Sequence, residues 1–318
     1  MDIFWKALLA TALERLFGYP DVLQRLVGHP VEWLGRFIQW LDDALNTAPQ
    51  EEAAGRLRGA AALALLLAAA IIPAWFVTRL FAGVTGGAVI EAIVATAFIA
   101  QKSLYDHVRA VERALSSSLA AGRAAVAKIV GRNPEALDES GVSRAALESL
   151  AENAADGVVA PLFWYLLLGL PGLVAYKAVN TADSMIGHKS DQHLHFGFAA
   201  ARLDDLMNLI PARLTALLFV GAARFESHEA ASAALAAAWR DAGKHRSPNA
   251  GWPEAAMAGA LGLRFGGPRD YDGESVDLPW LGDGRETLRR QDITAGLRLY
   301  SRSLTLMLAL MAVVALVL

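Results

Sequence analysis

The chain contains no cysteine. Disulfide bonds, zinc sites built on thiolates and cysteine nucleophiles are therefore excluded, whichever side of a membrane a loop faces. The sequence also lacks the GxxxxGK[ST], HExxH and GxSxG patterns, which mark phosphate-binding loops, zinc hydrolases and serine hydrolases. Any chemistry must therefore use oxygen and nitrogen groups outside these signatures.

Charged residues are scarce. They make up 19% of the chain, whereas soluble domains carry about 25%, and apolar residues make up 55%. The net charge is -3, and the basic residues are scattered among acidic ones, so nucleic acid is not an expected partner. The expected environment is membrane lipid.

The apolar residues cluster into segments long enough to cross a bilayer, which takes roughly 20 residues in a helix. Each segment contains one charge at most, and together they are residues 59–78, 80–101, 157–176, 206–223 and 303–318. The two charges inside them are Glu91 and Arg213. We predict an all-α, polytopic helical integral membrane protein with about four to six membrane-embedded segments and further helices outside the membrane.

The polar regions between these segments complete one predicted membrane-embedded domain over residues 1–318. Residues 1–58 are typical of an interfacial amphipathic arm, broken at 18–20 and 28–30 where Gly and Pro occur. Residues 102–156 and 224–302 are expected outside the bilayer as helices and loops. The most irregular loop is expected at 266–284. No signal peptide pattern is evident, so we expect the first segment to be retained.

Positive charge is unevenly distributed between the loops. If all five apolar segments cross the membrane, one side carries 24 Lys and Arg residues and the other carries 4. The richer side should be cytoplasmic, which would place the strongly polar residues 177–205 outside. Pro and Gly interrupt segments 157–176 and 206–223. We therefore expect broken or re-entrant elements there, which would keep residues 177–205 on the cytoplasmic side.

The first cluster of polar residues is acidic. Glu148, Glu152 and Asp156 are four residues apart, so in a helix they occupy one face at successive turns. Their mutual repulsion favours a cation between them. Mg²⁺ is suitable because it accepts one or two carboxylates together with phosphate oxygens. The alternative is a solvated acidic face.

The second cluster follows the third apolar segment. Asn180, Asp183 and Ser184 lie within one helical turn or a cap, where they offer oxygen ligands and a hydroxyl donor. Gly187 is expected to end the helix with a positive φ. Lys177 provides a point charge for phosphate or carboxylate oxygens. An ordinary helix terminus is the alternative.

The third cluster leads into the fourth apolar segment. Asp204 and Asn208 share a helical face that suits a metal ion, and Asp205 flanks it. Arg213 follows within apolar sequence. A guanidinium in lipid would cost about 2.5 kcal/mol or more, so Arg213 should face a cavity or a partner. The alternative to a ligand site is an ion pair of Arg213 with Asp205 or Glu91.

Several stretches of sequence resemble the adenosylcobinamide-phosphate synthase family of cobalamin biosynthesis, known as CobD or CbiB. They are GHPVEWLGR at 28–36, AENAADGVVAPLFW at 151–164, the long stretch at 175–216 and SPNAGWPEAAMAGALGLRFGG at 247–267. The resemblance implies a membrane-bound ligase. Its reaction joins (R)-1-amino-2-propanol phosphate to the free propionate of adenosylcobyric acid through an amide bond. It also implies dependence on ATP and Mg²⁺, because a carboxylate must be activated before an amine attacks it.

The resemblance also suggests roles for individual residues. The implied Mg²⁺ ligands are carboxylates, drawn from Glu152, Asp156, Asp183, Asp204 and Asp205. The implied catalytic groups, one of which accepts a proton from the substrate ammonium, are Asp183, Asp205 and His188. The implied substrate-binding residues are Lys177, Asn180, Ser184, Arg202, Arg213 and Asn249. Asn249 belongs to SPNAGWPE, for which a substrate loop or lid and a plain helix N-terminus both stay open.

The implied partners are small-molecule corrinoid and aminoalkyl phosphate substrates, with a homo-oligomer or contacts to other late corrin-pathway membrane enzymes as further possibilities. The implied location is the bacterial inner membrane, crossed several times, with the active site facing the cytoplasm. Two other classes of function remain open. One is a transporter that uses Glu91, Arg213 and the Pro-broken helices, and the other is a non-catalytic corrinoid-binding scaffold.

Overall fold

A computed structural model describes residues 3–47, 51–131, 134–187, 190, 192–271, 274–276 and 278–317. The chain forms helices throughout: α1 (Ile3–Phe17), α2 (Asp21–Val27), α3 (Pro30–Leu45), α4 (Glu52–Phe81), α5 (Gly87–Thr96), α6 (Gln101–Ser117), α7 (Leu119–Val126), α8 (Glu139–Ala154), α9 (Ala160–Ile186), α10 (Phe198–Ala223), α11 (His228–Asp241), α12 (Gly251–Leu261) and α13 (Arg290–Val317). A π-helical turn, Ala155–Val159, joins α8 to α9, and a 3₁₀ turn, Ala242–Lys244, follows α11. The all-α prediction is confirmed.

Five helical stretches are long and apolar enough to cross a membrane: Glu52–Phe81, Gly87–Ser117, Glu139–Ile186, Phe198–Ala223 and Arg290–Val317. The apolar segments 59–78, 157–176 and 206–223 each fall within one of them, and most of segments 80–101 and 303–318 falls within the second and the fifth. The prediction of a polytopic helical membrane protein is therefore confirmed. The third stretch combines α8, the π-helical turn and α9, so it is longer than the apolar segment that it contains.

The chain divides into two compact units. The first comprises Met1–Ala100, Ala160–Asn208 and Met311–Leu318, and the second comprises Gln101–Val159 and Leu209–Leu310. Four of the five long helical stretches have residues in both units. The prediction of one membrane-embedded domain over residues 1–318 stays a prediction.

In the first unit, the N-terminal helices pack against membrane-spanning segments. Breaks at 18–20 and 28–29 separate α1, α2 and α3, as the Gly and Pro residues there predict. Helix α1 packs on α5 and α9, and α3 packs on α4 and α9. The buried carboxylate of Glu91 accepts a hydrogen bond from Lys6 Nζ at 2.9 Å. The intramembrane charge in this unit is therefore paired within the protein.

The broken element predicted at residues 157–176 is present. Gly169, with φ 68° and ψ -161°, interrupts the helical backbone of α9 two residues before Pro171. Glycine adopts this conformation without the steric penalty that a side chain brings. The break expected in segment 206–223 does not occur, since α10 runs from Phe198 to Ala223 with Pro211 inside it.

Helix α10 tolerates its proline because another side chain replaces the lost donor. Pro211 has no N–H group for the carbonyl of Met207, four residues earlier. The indole Nε1 of Trp164 in α9 donates to that carbonyl at 3.1 Å. The contact satisfies a backbone acceptor that a membrane interior would not hydrate.

We expect Trp164→Phe to destabilise the protein by roughly 1–3 kcal/mol, because the Met207 carbonyl would lose its donor. Thermal unfolding of the detergent-purified protein measures the effect. Trp40→Phe is the control, because Trp40 is 59% exposed and stacks on Phe37, an arrangement that phenylalanine retains. Equal losses in the two variants would show that ring size, and not the hydrogen bond, sets the stability.

In the second unit, α8 packs against α6, α7 and α12, and α11 packs against α12. The region predicted as an irregular loop at 266–284 contains two short antiparallel pairs. They are β1 (Phe265–Gly266) with β4 (Trp280–Leu281) and β2 (Arg269–Tyr271) with β3 (Glu274–Val276). This part of the loop prediction is wrong, because strands this short leave no alternating apolar pattern to detect.

A buried carboxylate anchors this loop to α11. Asp241 accepts hydrogen bonds from Arg240, from Lys244 Nζ at 2.7 Å and from the Gly282 amide at 2.8 Å. Burial alone would raise the pKa of Asp241, but these hydrogen bonds outweigh it and hold the pKa well below its usual range. The cluster fixes the loop that follows β4 onto the end of α11.

Candidate functional site

A buried polar network connects α9 and α10 in the first unit. Asp204, 8% exposed, accepts Nδ2 hydrogen bonds from Asn180 at 3.3 Å and from Asn208 at 3.0 Å. The Oδ1 atom of Asn208 accepts from the Tyr176 hydroxyl at 2.9 Å, and that of Asn180 accepts from Lys177 Nζ at 3.3 Å. We call these five residues the Asp204 network. Since the amides donate to the carboxylate and accept from Tyr176 and Lys177, their orientations are fixed.

Helical spacing explains why these residues converge. Tyr176 and Asn180 are four residues apart in α9, and Asp204 and Asn208 are four apart in α10, so each pair shares one helical face. The sequence prediction that Asp204 and Asn208 share a face is confirmed by their hydrogen bond. Asp183 follows Asn180 by one turn, and its charge acts on Asp204. Asp183 and Asp204 are therefore close enough to interact electrostatically, and Asn180 connects Asp204 to Lys177.

The loop after α9 begins against Asp183. The Gly187 amide donates to the Asp183 carbonyl at 2.8 Å, and a Cβ at Gly187 would lie 2.0 Å from Asp183 Oδ1. Gly187 is not among the glycines with a positive φ, so that expectation is wrong. Glycine fits this position because the carboxylate leaves no room for a side chain.

Ser184, Asp205 and Arg202 flank the network and are more accessible to solvent. The Ser184 hydroxyl donates to the Asn180 carbonyl at 2.9 Å. Arg202 lies 3.9 Å from Asp205, and their side chains are 70% and 36% exposed. A pair this exposed adds little stability. Their predicted substrate and metal roles stay predictions.

The N-terminal region contributes a histidine that the sequence analysis left without a role. His29 caps α3, where its Nδ1 accepts from the Val31 amide at 3.2 Å. Burial lowers the pKa of His29; Glu32 opposes the shift and Lys177 adds to it. Burial therefore favours the neutral imidazole, and His29 is close enough to Lys177 to interact with it electrostatically. The GHPVEWLGR motif was the only signal for this residue, because its partner lies far away in sequence.

Four predicted site residues belong to the second unit: Glu152, Asp156, Arg213 and Asn249. Glu152 is exposed, and Asp156 lies half-buried in the π-helical turn. Glu148, which the spacing places on the same face, is instead buried and accepts from the Gly266 amide at 2.7 Å. The three carboxylates thus occupy different environments. A π-helical turn adds a residue to its turn and is not visible in apolar periodicity.

Arg213 and Asn249 also have local contacts. Arg213 donates to the Leu209 carbonyl at 2.6 Å, and its guanidinium lies 4.6 Å from the centre of the Trp252 ring. Stacking on an aromatic face is a favourable position for arginine. Asn249 is buried in the turn before α12. The segment SPNAGWPE therefore forms the packed start of a helix.

His188 lies outside the described residues. Among those that the structure describes, no group of three or more His, Asp or Glu side chains is arranged to hold a metal ion. The chemistry of the donors nevertheless suits Mg²⁺, since Asp183 and Asp204 offer the one or two carboxylates that it accepts beside phosphate oxygens. The five-carboxylate Mg²⁺ site stays a prediction.

Comparison with known proteins finds a matching family model and relatives that cover nearly the whole chain. The family model described as CobD/Cbib protein matches residues 7–300. Proteins named cobalamin biosynthesis protein CobD are similar over nearly their full length. The protein from Sinorhizobium fredii is 51% identical over 99% of this chain and 98% of its own. The protein from Brucella suis is 48% identical over 97% and 96%, respectively. No solved structure matches.

Proposed function

Since this chain belongs to the CobD/Cbib family of cobalamin biosynthesis proteins, we propose that it is an adenosylcobinamide-phosphate synthase. It joins the free propionate of adenosylcobyric acid to (R)-1-amino-2-propanol phosphate through an amide bond. The reaction uses ATP and Mg²⁺. The observation that carries the proposal is the Asp204 network, which connects a carboxylate to a lysine through Asn180, with the carboxylate of Asp183 close enough to act on Asp204.

Lys177 and Arg202 bind the anionic groups of the substrates. Lys177 Nζ is held by Asn180 Oδ1, so the ammonium has a fixed position from which to contact a carboxylate or phosphate oxygen. Arg202 is largely exposed and lies 5.4 Å from the centre of the Phe198 ring. It is accessible to a substrate that arrives from the aqueous side.

Activation of the propionate requires transfer of a phosphoryl group from ATP to a carboxylate oxygen, which gives an acyl phosphate. The amine then attacks the acyl carbon, and phosphate leaves with the former carboxylate oxygen. Asp183 and Asp204 would hold Mg²⁺, which neutralises charge on the phosphate oxygens. The amides of Asn180 and Asn208 keep Asp204 oriented throughout.

A base must remove a proton from the substrate ammonium, because only the free amine is nucleophilic. His29 is not suited to this role, although burial favours its neutral imidazole. Its Nδ1 lone pair accepts from the Val31 amide, so the neutral ring carries its hydrogen on Nε2 and has no free lone pair there to accept a proton. Asp183, Asp205 and His188 remain the candidates for the base.

Incubation of the detergent-purified chain with adenosylcobyric acid, aminopropanol phosphate and Mg-ATP tests the proposal. The expected result is a product with the mass of adenosylcobinamide phosphate, formed only when ATP is present. Binding of the corrinoid without conversion would support a scaffold instead. Passage of a corrinoid across proteoliposomes, without amide formation, would support a transporter.

We propose that the site faces the cytoplasm from the bacterial inner membrane. Ser190 is exposed in the loop between α9 and α10, and the native chain has no cysteine to interfere with labelling. Ser190→Cys should therefore resist a membrane-impermeant maleimide in intact spheroplasts and react after the membrane is permeabilised. Full labelling of intact spheroplasts would place the loop outside and contradict the proposed orientation.

A further inference from the structure

A cleft in the second unit carries an excess of positive charge. It has a volume of about 540 Å³ and lies between α6 and α13. Its charged and polar lining includes Tyr105, Arg109, Glu112, Arg298, Ser301 and Arg302. The lining therefore contains three arginines and one carboxylate. None of these residues belongs to the Asp204 network or to the predicted metal site.

The acidic neighbours of the cleft already have cationic partners. Glu112 pairs with Arg290, and Arg302 pairs with Glu226. Within the described ranges of the chain, no carboxylate lies within 4 Å of Arg109 or Arg298, and Arg109 Nη1 donates to the Tyr105 hydroxyl at 2.7 Å. Arg298 acts on Glu226 only electrostatically, so both guanidinium groups can still contact an anion. Guanidinium groups bind phosphate oxygens with paired hydrogen bonds.

The cleft lies at the polar ends of two apolar segments. Helix α6 begins at Gln101, where apolar residues 80–101 end, and Arg302 directly precedes the uncharged residues 303–318. The Tyr300 hydroxyl donates to the Gln101 carbonyl at 3.1 Å, which aligns these two ends. In a bilayer this level is occupied by lipid phosphates, and tyrosine and arginine are common there.

From these observations we propose that the cleft binds the phosphodiester headgroup of an anionic phospholipid. Arg109 and Arg298 contact the phosphate oxygens, and the Tyr105 hydroxyl donates a hydrogen bond. Arg302 adds positive charge from one turn beyond Arg298. A phospholipid headgroup and free inorganic phosphate would both be recognised through their phosphate oxygens, so the experiment must distinguish these two ligands.

Native mass spectrometry of the full chain in mild detergent, supplied with equal amounts of phosphatidylglycerol and phosphatidylcholine, tests the proposal. The wild-type protein should retain phosphatidylglycerol preferentially. Combined Arg109→Gln and Arg298→Gln should lower that preference roughly 25-fold, at about fivefold for each arginine. Arg298→Lys keeps the charge and should retain most of the preference, which separates loss of charge from loss of fold.

Arg58→Gln is the matched control, because Arg58 is an exposed arginine directly before an apolar segment and does not line the cleft. Its lipid preference should equal that of the wild type. An unchanged preference in the double variant, or an equal loss in the control, would overturn the proposal. Displacement of phosphatidylglycerol by millimolar inorganic phosphate would assign the cleft to a free phosphate and overturn the lipid assignment.

Discussion

The substitution Asp183→Asn should lower the rate of amide formation by about 10²–10⁴-fold, while the protein stays folded in the membrane. Asp183 is half-buried and acts electrostatically on Asp204. Its carboxylate can serve as a metal ligand or accept a proton, and the isosteric amide cannot accept that proton. The rate is measured by the mass of adenosylcobinamide phosphate formed over time. Asp205→Asn, tested in parallel, ranks the two carboxylates.

The control for this variant is Asp43→Asn. Asp43 is exposed in α3 and accepts a hydrogen bond from Gln39 at 3.0 Å, so the substitution removes the same charge from the same unit outside the Asp204 network. It should leave turnover unchanged. Full turnover in both Asp183→Asn and Asp205→Asn would show that neither carboxylate is needed as a metal ligand or as the base. If the wild-type chain forms no amide, the proposed function fails independently of these variants.

Removal of the Asp204 side chain should destabilise the protein more than any other single change within the network. In Asp204→Ala, the Nδ2 groups of Asn180 and Asn208 would lose a buried acceptor. Each donor left without an acceptor costs roughly 1–3 kcal/mol, so we expect a total of about 2–6 kcal/mol for the two donors. Thermal unfolding in detergent, monitored by circular dichroism, measures the loss.

Asp204→Asn provides the graded comparison. The asparagine keeps one oxygen acceptor of nearly the same shape, so the loss of stability should be smaller than in the alanine variant. Turnover should fall in both variants, because neither retains the carboxylate. An alanine variant that unfolds at the wild-type temperature would show that the network does not hold α9 and α10 together.

The features that could be predicted from the sequence depend on residues that lie close together along the chain. The five apolar segments were found from their length alone, since a bilayer demands about 20 apolar residues in a helix. The breaks before α2 and α3 follow from the special backbone preferences of Gly and Pro. Asp204 and Asn208 were paired correctly, because four residues in a helix complete about one turn.

Contacts between residues distant in sequence were not predictable from one chain. The pairing of Lys6 with Glu91 joins residues 85 apart, and Trp164 donates to a carbonyl 43 residues later. Arg213 was expected to face a carboxylate if it were not binding a ligand, but it stacks on Trp252. The helical periodicity of a sequence determines which residues share a face of one helix. It does not determine which other helix packs against that face.

The hydrogen bonds between α9 and α10 also determine how these two helices can pair. Apolar helices gain little from one another in lipid, because the lipid tails satisfy their surfaces equally well. Sliding α10 by a single turn would move the Asp204 carboxylate about 5 Å away from Asn180. The polar contacts therefore select one axial register for two helices whose apolar surfaces would otherwise allow several. This register places Asp204 next to Asn180, which also binds Lys177.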